Sequence, residues 1–232
     1  MIDITFKTYS DAGGGDPDAT SKTLKAYHKF LWSKELPSGR ILDLRDDLPN
    51  SYLYHESNHG VFYLGSDAIT HSYRNHKDEK KRDLIKQVQL EANELFEIGS
   101  TIGAYLLFPN KQINRQPTIN QARGVNAFID DRFDLTLECI RRHYLRIPSP
   151  LSNTLTRYQP FFELFGDFQG YVDFFFLNDL LDKNDRIKFY LPFDEFNSKP
   201  RFNSKEDYLI YKEGVSEFVT GRNARILAFL NH

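Results

Sequence analysis

The sequence predicts an α+β fold in which strands gather before residue 110 and helices follow. Three observations carry this. Short runs of β-branched and aromatic residues, separated by Asn, Asp, Gly and Pro, fall in the first half. After residue 130 the apolar residues recur at helical spacing. No repeat, low-complexity tract or long linker separates the two textures, so one cooperative unit is expected. The 232 residues should form a single domain, 1–232, strand-rich over 1–117 and helix-rich over 118–232, with flanking helices on an antiparallel or mixed sheet.

The opening ITFKTYS reads as a strand and DAGGGDPD as a loop. Asp16 and Asp18 lack further oxygen ligands at calcium spacing, so they are read as turn residues. Ser21 caps a helix running to about Lys34, with Leu24, Tyr27, His28 and Leu31 on one face. RILDLR, YLYHES and VFYLGS read as a strand meander. Residues 77–98 read as helix, and IGAYLLF, stopped by Pro109, as a buried central strand. In DRFDLTLECIRRHYL, Phe133, Leu137, Ile140 and Tyr144 share a helical face. SPLSNTLTRYQPFFELF should form a second helix from near Pro150, kinked or divided at Pro160. DFQGYVDFFFLNDLL is apolar nearly all round and is expected at the centre of the helical half. RIKFYLPF reads as a late strand, and 205–230 as a closing helix.

No apolar run approaches the roughly 18 residues that span a bilayer. The first residues lack a basic n-region and an apolar h-region, and Cys139 stands alone, so a cytoplasmic location without a disulfide is expected. Acids (32) nearly balance Lys and Arg (30), so attraction to nucleic acid requires a local patch. Phe (20) and Tyr (13) are abundant, which points first to a bulky core and second to base stacking.

HESNH, residues 55–59, matches the zinc-binding H-E-x-x-H pattern: His55 and His59 as ligands, Glu56 as base, with Glu79 as a third ligand. That chemistry needs both imidazoles one turn apart on a helix. The flanks Leu53, Tyr54, Val61 and Phe62 are β-prone around a turn, so a hairpin that scatters the ligands is expected. No metal and no cofactor are therefore predicted, and a zinc hydrolase on His55, His59 and Glu79 stands as the alternative. A looser site from His55, His59, His71 and His76 is a further variant.

TINQARGVNAFIDDRFDLTLECIRRHY is the stronger candidate. Asn120 and Gln121 offer amides, Arg123 precedes a glycine, and a helix start follows. Residues 111–146 hold seven Lys and Arg against four acids. Asn120, Gln121, Arg123, Arg132, Arg141 and Arg142 are thus predicted to bind a phosphate-bearing ligand, a nucleotide or a nucleic-acid end, at the sheet/helix junction, with His143 as the candidate acid or base. The competing reading is that these charges pair along solvated helix faces, since Asp134, Glu138 and Arg142 are spaced i, i+4, i+8.

LKAYHKFLWSKELPSG, GVFYLGSD, TINQARG, DRFDLTLECIRRHY and GYVDFFFLNDLL together resemble an uncharacterised bacterial domain family of unknown function. The resemblance covers most of the chain and implies no activity. A protein-interaction module or a homodimer is the remaining alternative.

Overall fold

The computed structural model describes residues 2–58, 60–74 and 78–231. Asp16 accepts from the Asp18 amide and caps a short helix α1, Pro17–Thr20. Ser21 accepts from the Leu24 amide at 3.1 Å and caps α2, Lys22–Trp32, which buries Leu24, His28, Leu31 and Trp32. Three antiparallel strands follow in the order β1 Leu53–Ser57, β2 Gly60–Ala68 and β3 Tyr105–Pro109. Leu53 faces Leu64, His55 faces Phe62, and Gly65 faces Phe108 across the ladders.

Helices α3, Glu79–Lys86, and α4, Gln89–Ile98, occupy the stretch expected as one helix, which breaks where buried Val88 takes a non-helical conformation. Lys77, the first residue of that expectation, lies outside the described residues. The remaining helices are α5 Ile119–Val125, α6 Phe133–Tyr144, α7 Ser152–Arg157, α8 Gln159–Glu163, α9 Phe168–Phe174 and α10 Lys205–Leu230. The division between α7 and α8 falls at Tyr158, two residues before Pro160, as the missing proline amide requires. No described helix is long and apolar enough to cross a membrane.

Four expected strand features come out differently. ITFKTYS forms a 3-10 turn at Thr8–Asp11 instead of a strand. RILDLR makes only single bridges, Glu35 to Ile41 and Arg45 to Tyr54, although Leu42 and Leu44 are buried in strand-like alternation. RIKFYLPF has one bridge, Leu181 to Ile187. In these stretches burial of apolar side chains sets the pattern, and a ladder also needs a free neighbouring edge. The fourth is β3, which is fully buried yet pairs only with β2, so it lies at the sheet's edge and not its centre. A guanidinium replaces the missing strand: Arg222 of α10 donates Nη1 to the carbonyls of Gly103 and Tyr105, both at 2.8 Å. Asn223 extends this seam by accepting from the Gly103 amide at 2.8 Å and donating to Thr101 Oγ1 at 2.9 Å. A Cβ on Gly103 would stand 2.6 Å from Asn223 Oδ1 and 2.8 Å from the Val219 carbonyl, so only glycine admits α10 this closely.

Most of the aromatic excess fills the core. Phe161, Phe162, Phe165, Tyr171, Phe174 and Phe175 form one pile with edge-on and tilted rings, such as Phe165 to Tyr171 at 5.3 Å and Phe174 to Phe175 at 4.9 Å. Trp32 reaches Phe175 at 5.2 Å and ties α2 to it. Residues of α9 therefore do sit in the interior of the helical half, and the buried residues of both halves join in one cluster.

Candidate functional site

A cleft of about 510 Å³ opens where α1, β2, the end of β3 and α5 meet, lined by Asp16, Asp18, Tyr52, Ser66, Asn110 and Asn120, with Asp67 and Lys25 also on its wall. The local chain explains each placement. The cap at Asp16 turns Asp18 inward, where its Oδ2 accepts from the Ala68 amide at 3.1 Å. Ser66 and Asp67 are neighbours on β2, so they project from opposite faces of the strand. Gly65 has no side chain, and the Asn110 amide fills that space: a Cβ there would be 2.8 Å from Asn110 Nδ2. Asn120 stands in the first turn of α5, whose start is fixed by a capping box between Thr118 and Gln121.

Three residues of this cleft each hold a buried polar atom without a hydrogen-bond partner among the described residues: Asp18 Oδ1, Tyr52 Oη and Asn120 Oδ1. Such atoms are uncommon in folded proteins, and here three belong to residues that line one cleft. Their chemistry follows from their partners. Asn120 Nδ2 faces the Ser66 carbonyl at 3.4 Å, which can only accept, so Oδ1 is left as an acceptor. Burial pushes the Asp18 carboxyl up to about 7, helped by the charges of Asp67 and Asp16. With Oδ2 engaged by an amide N–H, the proton on Asp18 rides on Oδ1. Burial likewise raises Asp67 to about 6 against the pull of Arg123. The Tyr52 phenol is driven far up by burial and by Asp18, so it stays protonated.

The predicted ligand residues scatter. Asn120 alone lines this cleft. Gln121 is consumed by its cap, its Oε1 accepting from the Thr118 amide at 3.0 Å and from Gln112 Nε2 at 3.1 Å. Arg123, 1% exposed, pairs with Asp67 at 2.5 Å and Asp131 at 3.1 Å, and donates to the carbonyls of Ala68 and Asp131 and to Thr136 Oγ1. Arg132 pairs with Asp134, which is itself fully buried. Arg141 and Arg142 both pair with Glu138, at 2.8 and 2.7 Å, and Arg142 also with Glu195. Each of the four arginines thus already carries a carboxylate of its own chain. His143 lines a different cleft with Tyr144, Gln159, Phe162 and Glu163, and burial lowers its pKa.

Residues 53–57 pair antiparallel with 60–64: His55 lies on β1 opposite Phe62, and one of its ring nitrogens, Nδ1, is bonded to the Asp43 carbonyl at 3.0 Å. Glu56 pairs with Arg45 at 2.6 Å, and Glu79 opens α3. His59 and His76 lie outside the described residues. Among the described residues no group of three His, Cys, Asp or Glu is placed to hold a metal ion.

On sequence alone Asp18 reads as a turn residue, and Asp67 is passed over. The signal of Asp67 was present: an acid in the apolar run of β2 needs a buried cation, and Arg123 is that cation.

Fold and cleft together define an α+β protein with a carboxylate-bearing polar pocket at the junction of a small antiparallel sheet and its helices. The chain belongs to the family of unknown function DUF6994, which matches residues 2–226. No curated protein and no solved structure matches it.

Proposed function

We propose that the chain binds a small hydroxyl-rich ligand, a sugar or the ribose of a nucleoside or nucleotide, in the Asp18 cleft, with Asp18 exchanging a proton with it. One observation carries this reading: the three unpartnered atoms, Asp18 Oδ1, Tyr52 Oη and Asn120 Oδ1, belong to residues that line one cleft. A carboxyl, a phenol and an amide oxygen match hydroxyl groups, which both donate and accept. A carboxyl half protonated near neutral pH is also suited to general acid or base work. Charge favours a neutral ligand over a phosphate in the cleft itself. Asp16, Asp18 and Asp67 line it with Lys25 as the cation on the wall, and Arg123 behind it is committed to Asp67 and Asp131. Any phosphate on the ligand would lie beyond the cleft.

Saturation-transfer NMR with D-ribose and adenosine tests this. Both should receive magnetisation from the wild-type protein, and Asn120→Ala and Asp18→Asn should each weaken binding tenfold or more. Absence of transfer to either probe, or unchanged binding in both variants, refutes the reading.

A further inference from the structure

Behind the cleft, Ser66 is joined to a buried chain of aromatic nitrogens. His28 Nε2 lies 3.1 Å from Ser66 Oγ, and Trp32 Nε1 donates to His28 Nδ1 at 2.9 Å. Both His28 and Trp32 are fully buried. A buried serine beside a histidine invites reading as a nucleophile and its base. The third member of the chain reverses that assignment.

An indole nitrogen is a donor only. His28 Nδ1 must therefore be the bare, accepting nitrogen, and the ring's one hydrogen must sit on Nε2 and point at Ser66 Oγ. An imidazolium would set Nδ1–H against the indole N–H, two donors head to head. Burial and then the nearby Arg222 charge also hold the ring neutral, pushing its pKa down to about 3. Ser66 Oγ thus accepts from His28, and its own hydrogen is turned to the cleft side, where the Tyr52 phenol stands beside it. Ser66 lines the cleft that holds Asp18, Tyr52 and Asn120.

We infer that Ser66 is a specificity-determining hydrogen-bond donor into the cleft, aimed at an oxygen acceptor of the ligand, and that His28 is the positioning residue that fixes its direction. The inference rests on the proposed ligand cleft for its consequence, and on the Trp32–His28–Ser66 chain for its cause. Ser66 is not a nucleophile, because the imidazole beside it offers a proton and cannot remove one. A ligand group that presents only hydrogens at this point, such as an ammonium, is disfavoured; a ring or hydroxyl oxygen is accepted.

Long-range ¹H–¹⁵N NMR of the wild-type protein reads the cause directly, with the His28 ring assigned by its loss in His28→Gln. The neutral tautomer protonated at Nε2 should persist from pH 8 to pH 5. A ring protonated at Nδ1, or one titrating near the ordinary histidine value, overturns the inference. A fluorophosphonate probe should leave Ser66 unlabelled, and labelling there would also overturn it. For the consequence, Ser66→Ala should weaken D-ribose binding tenfold or more. His28→Gln, which can accept from Trp32 and donate to Ser66, should retain more of that binding than His28→Leu. Equal binding across these variants refutes the donor role. If wild-type protein binds no ribose, the proposed function fails alone, since the tautomer and labelling results still decide whether Ser66 is a donor or a nucleophile.

Discussion

Replacing Arg123 by Met separates a structural guanidinium from a ligand-binding one. Arg123 is 1% exposed and holds Asp67, whose side chain is only 18% exposed, together with Asp131 and two backbone carbonyls. Met fills much of the volume but leaves Asp67 without its cation. Breaking a buried pair from one side costs about 3–5 kcal/mol, because the remaining charge is uncompensated. The loss must depend on pH. Asp67 already sits near 6 against 3.8 for an ordinary carboxyl, and removing Arg123 raises it further. In the variant the folded state holds this proton more tightly than the unfolded chain does. Its stability therefore falls as pH rises from the unfolded value through the new folded one. Between pH 5 and pH 8 the variant should lose up to about 1.4 kcal/mol relative to wild type for every unit by which Asp67 moves. Urea unfolding at both pH values, with m unchanged, measures this. Adding Asp67→Asn to Arg123→Met should recover part of the loss. A variant that loses less than about 1 kcal/mol, or gains stability, would show that Arg123 is not held for structure, and would return it to the ligand-facing role expected from the sequence.

Asn223→Ala should cost about 1–3 kcal/mol by orphaning the buried Gly103 amide that it satisfies, read as a lower unfolding midpoint; a cost under about 0.5 kcal/mol would mean that the α10 seam does not depend on this side chain. His28 is held neutral with a folded pKa near 3 against 6.5, so its contribution is complete above pH 6.5 and is lost as pH falls toward 3. Acid titration should find His28→Gln less acid-sensitive than wild type, and equal acid sensitivity would contradict the assignment. Asp18 acts in the opposite sense: its raised pKa stabilises the fold below about 3.8, and that contribution is lost as pH rises through 7. Elemental analysis of protein purified without added metal should find no stoichiometric zinc, because His55 is on an extended strand with one ring nitrogen bonded to Asp43; one zinc per chain, lost in His55→Ala, would show this geometry to be misread.

Local signals made much of the fold legible. Ser21 as cap, the periodic face of α6, the break before Pro160 and the closing helix over 205–230 each follow from interactions within a few residues. The hairpin at 53–68 was legible too, because Tyr54, Val61 and Phe62 favour extended backbone around a turn. RILDLR and RIKFYLPF misled because alternation of buried residues records only which side chains face the core.

The site was harder to see. Asp18 and Ser66 are 48 positions apart, and Ser66 and Asn120 a further 54, and no spacing rule links them. By itself the sequence determined an α+β chain with its strands before residue 110 and a mainly helical second half, β-prone runs on either side of a turn between 53 and 64, and a cationic stretch from 111 to 146. Tertiary structure alone decided which polar groups find partners within the chain and which are left with an unpaired atom. Arg123, Arg132, Arg141 and Arg142 find carboxylates within the chain, whereas Asp18, Tyr52 and Asn120 each keep one atom unpaired at a shared cleft. The physical reason is that propensity and periodicity act over neighbouring residues, while desolvation and hydrogen-bond satisfaction depend on which distant groups are buried together.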